Sequence, residues 1–311
     1  MNSGISERIQ PNSLRAWWLA ARPTTLTGAM APVMVALSAA WSDLGTPPQA
    51  FPSVGPEQSG FLWTPALLCL FFALLMQVDA NFVNDYFDFR KGHDDRATRL
   101  GPPRACSEGW ITPQAMRRGI SLTTTLACIT GLPLVLWGGW WLVAIGVACV
   151  IFCFLYTTLF ASHGLGDALV LVFFGIVPVC ATYFIQTGTV TPAVLLHSIG
   201  MGLATDSLLV VNNYRDREQD RIVGKRTIVV LLGGTFAEWL YLGIGIAAVL
   251  LTPPVRTRWT TFLPLLYLIP HVRTWLKMKR LHSGRQLNQV LGQTAANMFI
   301  YALLQSLACL L

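Results

Sequence analysis

The feature that most constrains the fold of this chain is a series of apolar segments whose length matches the hydrocarbon core of a bilayer. There are nine such segments, at about 24–41, 62–83, 119–137, 140–160, 167–185, 191–211, 236–252, 260–276 and 287–310. In lipid, the backbone polar groups of a single segment are satisfied by an α-helix. The sequence therefore predicts an all-α, polytopic membrane bundle of about nine transmembrane helices, forming a single domain over residues 1–311.

Composition and charge agree with a membrane protein. Of the 311 residues, 53% are hydrophobic and 12% are charged, whereas soluble domains carry about 25% charged residues. The first thirteen residues are polar and bounded by proline, so we expect no removable signal peptide. If the N-terminus is cytoplasmic, only Arg256 and Arg258 of the 22 Lys and Arg residues face the other side. The distribution of Lys and Arg thus predicts a protein of the cell (inner) membrane whose N-terminus and active site face the cytoplasm, and the net charge of +7 gives little support for nucleic-acid binding.

The sequence contains neither the cysteine motifs of zinc or disulfide sites nor the motif of an ATP-binding loop. The seven Cys residues form no C-x-x-C pair and lie mostly inside apolar segments, so neither a zinc site nor a disulfide framework is predicted. No G-x-x-x-x-G-K-[ST] sequence occurs, which argues against an ATP-driven pump.

Two similar polar stretches each follow an apolar segment. The first reads NFVNDYFDFRKGHDD at 81–95 and the second reads NNYRDREQDRIVGK at 212–225. Both contain N-x-Y-x-D, and both fall at cytoplasmic helix ends in the predicted topology. The chain therefore resembles two related halves, roughly 14–160 and 161–311, each bringing one acidic helix end to the same face.

Helical spacing turns these stretches into acidic clusters, because residues three or four apart are neighbours on a helix surface. The pairs are Asn84 with Asp88, Asp85 with Asp88, Asn212 with Asp216, and Asp216 with Asp220. Oxygen ligands of this kind suit Mg²⁺, which proteins hold with one or two carboxylates plus substrate phosphates. The alternative is that these are ordinary solvated helix-end charges, but two matched copies favour a functional site.

Basic residues close to both clusters are suited to bind an anion. They are Arg22 in AARPTTLTG, Lys91 and Arg104 after the first cluster, and Arg215 and Lys225 beside the second. A metal–diphosphate needs both cations and fork-shaped donors around its oxygens. Each residue alone also fits the positive-inside rule.

The motifs resemble those of the UbiA superfamily of intramembrane prenyltransferases, which have N-D-x-x-D-type and D-x-x-x-D signatures. Further details resemble the MenA branch, which prenylates 1,4-dihydroxy-2-naphthoate. They are ARPTTL at 21–26, NDYFDFRKGHD at 84–94, GPPRA at 101–105, GLGD at 164–167 and NNYRDREQDRIVGKRT at 212–227. The sequence departs from the superfamily at Gly92, where a third acid is common, and Asp94 is the nearest substitute.

This resemblance implies a Mg²⁺-dependent transfer of a polyprenyl group from its diphosphate to an aromatic acceptor. The implied catalytic acids are Asp85, Asp88, Asp216 and Asp220, and the implied metal ligands are these four with Asn84 and Asp94. The implied substrate-binding residues are Arg22, Lys91, Arg104, Tyr156, Asn212, Arg215 and Lys225. Tyr156 would steady an allylic cation with its ring, or is simply an interfacial tyrosine. Arg104 would hold the acceptor carboxylate, and the prenyl tail would occupy a groove open to lipid.

Two alternatives remain at the level of sequence. Within the superfamily, the acceptor could be 4-hydroxybenzoate, a chlorophyllide or haem in place of dihydroxynaphthoate. In another class, acidic helix ends could form the selectivity ring of a magnesium transporter or channel. A pore needs polar groups through the membrane, and few lie there: Asp79 and Asp206 are near the cytoplasmic ends.

Overall fold

The computed structural model describes residues 9–45, 60–92, 99–158, 164–253 and 259–311. Within these ranges the fold is all-α, as predicted, and no strand occurs. The helices are α1 (Leu14–Ala21), α2 (Leu26–Leu44), α3 (Trp63–Arg90), α4 (Pro113–Gly131), α5 (Val135–Gly138), α6 (Trp141–Thr158), α7 (Gly166–Leu171), α8 (Val177–Thr187), α9 (Pro192–Ile222), α10 (Ile228–Leu232), α11 (Gly234–Leu250), α12 (Leu268–Leu281) and α13 (Leu287–Leu310).

Several of the predicted spans are interrupted helices. Segment 119–137 passes from α4 through a 3₁₀ turn into α5, and segment 167–185 passes from α7 through a π turn at Val172–Ile176 into α8. Prolines account for such breaks, because Pro133 and Pro178 have no N–H to donate to the preceding turn. Segment 260–276 likewise begins as a 3₁₀ helix at Trp259–Tyr267 before α12.

The structure supports a polytopic membrane protein. Among the described residues, five helical stretches are long and apolar enough to cross a bilayer: Leu14–Leu44, Trp63–Arg90, Pro113–Gly138, Gly166–Thr187 and Pro192–Ile222. Shorter apolar helices cover Trp141–Leu155 and Gly234–Leu250. The count of nine spans and the division into halves at 14–160 and 161–311 stay predictions.

Helices α3 and α9 are longer than a membrane requires. They contain 28 and 31 residues, or about 42 and 46 Å at 1.5 Å per residue, against a hydrocarbon core of about 30 Å. Their C-terminal turns can therefore lie beyond the hydrocarbon. Those turns contain the two acidic motifs.

Helix α9 is held at the centre of the bundle by close packing. Its buried residues share a core with α2, α8, α11 and α13 that includes Met201, Tyr183 and Tyr301. The Tyr301 hydroxyl donates to the carbonyl of Ala248 at 2.9 Å. A side chain at Gly175 would come within 2.6 Å of the Cα of Gly202, so small residues allow the two backbones to approach. This packing fixes the second motif relative to the rest of the bundle.

Candidate active site

The first acidic cluster occupies the last two turns of α3. Asn84 and Asp88 lie on one side of the helix, as the four-residue spacing predicts. Arg104, from the segment between α3 and α4, donates from Nη2 to Asn84 Oδ1 at 3.2 Å and to Asp88 Oδ2 at 3.1 Å. The Arg104 guanidinium is buried, whereas the Asp88 side chain is 16% exposed. The cluster therefore combines a buried cation with a carboxylate that can reach a ligand.

Asp85 points away from Asn84 and Asp88 and binds the backbone of the segment that precedes α4. Its side chain is 1% exposed, and its two oxygens accept the backbone N–H groups of Ala105 at 2.8 Å and Cys106 at 2.9 Å. Arg22 Nη2 lies 3.9 Å from Asp85 Oδ2. The metal-ligand role of Asp85 stays a prediction, but these contacts give it a structural role in anchoring the α3–α4 connection.

Arg22 lies beside this cluster in an unusual backbone conformation. It ends α1 with a φ of 51° and precedes Pro23, and such left-handed non-glycine residues are enriched at functional sites. Asn81 fixes this turn to α3, since its Nδ2 donates to the Ala21 carbonyl and to Thr25 Oγ1, both at 2.9 Å. Among the described residues, the buried Nη2 of Arg22 has no hydrogen-bond partner. Apart from its ion pair with Asp85, this nitrogen makes no contact within the described chain that satisfies it, so it can still donate to an anionic ligand.

We expect Asp85→Asn to destabilise the protein by about 2–4 kcal/mol, because the two N–H groups donate to different oxygens and the amide replaces one of these oxygens with an NH2 donor. The apparent Tm in detergent should fall by about 5 °C or more. Glu218→Gln, at a side chain 65% exposed, is the matched control and should leave the Tm unchanged. If D85N keeps the wild-type Tm but needs more Mg²⁺ for turnover, Asp85 is a metal ligand and not an anchor.

The second cluster is built around a buried arginine. Arg215 Nε and Nη2 donate to the two oxygens of Asp216 at 2.8 and 2.5 Å, and Nη2 also reaches Asn212 Oδ1 at 2.9 Å. A fork-shaped pair of this kind orients the carboxylate as well as neutralising it. The Asp216 side chain remains 20% exposed while that of Arg215 is 2% exposed. Arg215 therefore holds the Asp216 carboxylate in an orientation that leaves it partly exposed.

One turn further on, Asp220 meets a second cation. Lys225 Nζ lies 3.1 Å from Asp220 Oδ1, and the Lys225 N–H donates to the Asp220 carbonyl at 2.9 Å. The chain turns back at Gly224, whose φ is 76°, a conformation that glycine adopts without strain. This turn places Lys225 against the end of the cluster, as the sequence predicted for the basic residues near both motifs.

The segment between α3 and α4 joins the two clusters. Arg104 binds the first cluster, and three residues earlier Gly101 packs against Arg215 of the second. A Cβ at Gly101 would lie 2.9 Å from Arg215 Nη2, so only glycine fits there without a shift. The Cα atoms of Gly101 and Arg104 can be at most about 11 Å apart, since each peptide advances the chain by about 3.8 Å. The two motifs therefore lie on either side of this short segment, and we call the space between them the polar gap.

Asn288, at the start of α13, reinforces this link. Its Oδ1 accepts from Arg215 Nη1 at 2.8 Å, and its Nδ2 donates to the Leu100 carbonyl at 2.8 Å. Sequence reasoning missed Asn288, which lies in no recognisable motif. It also missed Asn81, although that residue opens the first polar stretch four positions before Asp85 and so shares its helix face.

The remaining predicted residues fall at or near the site, or outside the described chain. Lys91 caps α3 at the end that carries the first cluster and is exposed. Asp94 lies outside the described residues, and so does the side chain of Tyr156. Asp79 is fully buried and accepts from Thr123 and Thr124 of α4, so it ties α3 to α4 one and a half turns before the cluster.

The donors of the two clusters fit a metal that is also bound by its substrate. Among the described residues, no group of three or more His, Cys, Asp or Glu is placed to hold a metal. Each cluster instead offers an amide oxygen and one or two accessible carboxylates. That limited set suits Mg²⁺, which usually completes its coordination with waters and substrate phosphates.

An apolar cavity of about 380 Å³ lies within the bundle and ends about one helical turn short of the first cluster. It lies among α2, α3, α4, α6 and α8, and reaches Gln77 and Ala80 of α3. Ala80 is four residues before Asn84, about 6 Å along the helix axis. Leu132, Val147 and Ile151 also line the cavity and are 50–61% exposed. The cavity therefore opens on the apolar, lipid-facing surface between α4 and α6.

Fold and site together define an integral membrane protein in which two Asp-bearing helix ends meet at one face beside an apolar cavity. The UbiA prenyltransferase family model matches residues 29–303. The chain therefore belongs to the UbiA prenyltransferase family, and the resemblance inferred from the motifs is confirmed.

Individual relatives agree with this assignment. The chain is 36% identical to a 1,4-dihydroxy-2-naphthoate octaprenyltransferase of Escherichia coli, covering 72% of this chain and 70% of the relative. It is 31% identical to the protein of that name from Mycobacterium tuberculosis, covering 94% and 95%. The fold also matches a UbiA homolog from Archaeoglobus fulgidus bound to DMAPP and Mg²⁺, with a TM-score of 0.58, 12% identity and coverage of 93% and 98%.

Proposed function

We propose that this protein transfers a polyprenyl group from an allylic polyprenyl diphosphate to 1,4-dihydroxy-2-naphthoate with decarboxylation, giving demethylmenaquinol in menaquinone biosynthesis. The observation that carries this proposal is that one short segment, through Arg104 and Gly101, contacts both Asp motifs, and that an apolar cavity reaches to within one helical turn of the first. The names of the relatives favour dihydroxynaphthoate over 4-hydroxybenzoate. The family assignment favours a transferase over a magnesium transporter.

The polar gap suits the diphosphate. Asn84 and Asp88 on one side, and Asp216 and Asp220 on the other, would hold Mg²⁺, with Asn212 close to Asp216. When bound, the metal supplies Lewis-acid stabilisation of the departing diphosphate. Arg22 offers a buried guanidinium nitrogen to the same anion, and Lys225 lies at the edge of the second cluster. The positive-inside distribution supports placing this gap on the cytoplasmic side.

The reaction has a simple electron balance. The allylic C–O bond breaks and the diphosphate leaves with the electron pair, while the ring carbon that carries the carboxylate bonds to the allylic carbon. The C–C bond to the carboxylate then breaks, carbon dioxide leaves, and its bonding electrons restore the aromatic ring. The apolar cavity excludes the water that would quench the allylic cation. Arg104 is well placed to hold the carboxylate or to neutralise the diphosphate.

Measuring the release of carbon dioxide tests the identity of the aromatic acceptor. Purified protein is incubated with Mg²⁺, a polyprenyl diphosphate and dihydroxynaphthoate labelled in its carboxylate. We expect one labelled carbon dioxide for each prenyl group transferred, because decarboxylation replaces loss of a ring proton. A parallel incubation with 4-hydroxybenzoate is the control. If that acid is prenylated with its carboxylate retained while dihydroxynaphthoate is untouched, the proposed acceptor is wrong.

The cavity provides a test of where the tail binds. Gly146 lines it, and nothing lies within 4 Å of a Cβ at this position, so Gly146→Phe should fill the cavity without a backbone clash. We expect the KM for a long polyprenyl diphosphate to rise about tenfold or more, while that for dimethylallyl diphosphate changes little. Each displaced methylene costs about 0.8 kcal/mol.

Gly243→Phe is the matched control for this test. Gly243 is also a helical glycine with open space at its Cβ, but it lies on α11 away from the cavity. It should leave the chain-length dependence of KM unchanged. Equal effects of both variants on long and short substrates would place the tail elsewhere.

A further inference from the structure

A second groove lies between α12 and α13, and we call it the basic groove. Its volume is about 580 Å³, and it is lined by Arg273, Lys277 and Arg280 of α12. These residues follow one another at intervals of four and three, which places them on one face of the helix. Buried Thr274 and Asn297 also line the groove, so its wall includes neutral hydrogen-bonding groups as well.

The positive charge of the basic groove is not compensated by the protein. Its lining contains no Asp or Glu, and within the described part of the chain none of its three cations forms an ion pair. The contrast with the other side of α12 is clear: Lys279 Nζ lies over the rings of Trp239 and Trp275, at 5.4 and 4.9 Å from their centroids. Three unpaired cations in a concave site favour a bound anion.

The position of the basic groove indicates the surface to which it belongs. Helix α12 ends at Leu281, and the segment that follows returns to the active-site face, where Arg285 Nη2 donates to the Arg99 carbonyl at 3.4 Å. The groove, lined by the last three turns of α12, therefore lies in the half of the bundle that is closer to the face carrying the Asp clusters. Its lining residues belong to neither cluster, so it is a separate site.

Apolar side chains flank the basic groove on the outside of the bundle. Leu276 lines it and is 43% exposed, and Ile269 of α12 and Ile300 of α13 are 53% and 38% exposed. A soluble anion would not use these side chains. An amphipathic ligand with one phosphate and two acyl chains would satisfy both the cations and the apolar surface.

We propose that the basic groove binds the headgroup of an anionic phospholipid. The phosphate lies among Arg273, Lys277 and Arg280, and the acyl chains run along the exposed apolar side chains of α12 and α13. Basic pockets between membrane helices at the headgroup level recognise lipids in this way. The site would hold a structural lipid beside the helix, α13, that supplies Asn288 to the active-site face.

The test measures lipid retention on the full-length protein in detergent by native mass spectrometry, with dioleoyl phosphatidylglycerol as the probe. The groove variant is R273Q/K277Q/R280Q, which removes the charges and keeps polar side chains that are compatible with a helix. Each basic residue near a lipid headgroup contributes about fivefold to binding. The tightest phosphatidylglycerol site should therefore weaken by about 100-fold.

The control variant is R117Q/R118Q/K279Q. It removes the same charge from residues outside the groove, because Arg117 and Arg118 are exposed on α4 and Lys279 faces away from the groove on α12. This variant should bind phosphatidylglycerol within about twofold of the unmodified protein. Equal losses in both variants would mean that general surface charge binds the lipid, and the proposal would fail.

Measurements on the unmodified protein decide the nature of the ligand independently of the variants. Dioleoyl phosphatidylcholine should not occupy the site, and inorganic phosphate should not displace phosphatidylglycerol at equal concentration. Binding of phosphatidylcholine with equal affinity, or displacement by phosphate, would overturn the assignment to an anionic lipid. The readout needs neither prenyl donor nor acceptor, so it is independent of the proposed reaction.

Discussion

Asp88→Asn and Asp216→Asn are each expected to lower the rate of prenyl transfer by at least about 1000-fold, while the protein remains folded. Both carboxylates are partly exposed, and each is oriented by a buried arginine, Arg104 or Arg215. An amide keeps the shape of the side chain but removes the charge that binds the metal–diphosphate, and charge stabilisation of a leaving group is a large term in catalysis. Initial rates at saturating donor and acceptor give the measurement.

Two controls make this result specific. Glu218→Gln changes an exposed acid two residues from Asp216 that pairs only with Arg217 and Arg221 among the described contacts, and it should keep the wild-type rate. Apparent Tm values report whether D88N and D216N remain folded. Wild-type activity in either Asp variant at limiting Mg²⁺ would show that its cluster is not part of the site.

Removal of divalent ions should abolish turnover, and Mg²⁺ or Mn²⁺ should restore it. Neither cluster has enough charged ligands in the described chain to retain a metal by itself, so we expect the ion to be lost readily to a chelator and to return with the diphosphate. Rates are compared after treatment with EDTA and with EDTA already saturated with Mg²⁺, which should be harmless. Undiminished transfer after thorough chelation would contradict a metal–diphosphate mechanism.

The sequence predicted the helical class and the local geometry of each cluster because both depend on short-range rules. Apolar segment length predicted the long helices, and the spacing of Asn84 and Asp88 predicted that the two side chains are neighbours, which agrees with the contact of Arg104 with both. The interrupted helices were harder to anticipate. Pro133 and Pro178 each remove one helical hydrogen bond, but a helix can also accommodate a proline as a simple kink, so the sequence alone does not predict a 3₁₀ turn at one position and a π turn at the other.

The contacts that assemble the site were less predictable, because they join residues far apart in the chain. The N-D-x-x-D motif suggests that Asp85 is a metal ligand. In the structure, its oxygens accept hydrogen bonds from the backbone N–H groups of Ala105 and Cys106, about twenty residues later in the chain. Asn288 supports Arg215 from 73 residues away. Such roles depend on the path of the α3–α4 connection, and only the folded structure determines that path.

The lateral opening of the apolar cavity bears on how substrate reaches the protein. Withdrawing a prenyl tail into water would cost about 4 kcal/mol for every five-carbon isoprene unit, so a tail of several units would effectively never leave the bilayer. An opening lined by Val147 and Ile151 lets the tail slide in sideways while its charged head stays at the aqueous boundary. The rate at which the prenyl diphosphate reaches the protein then depends on its concentration per unit area of membrane. It arrives by lateral diffusion in two dimensions.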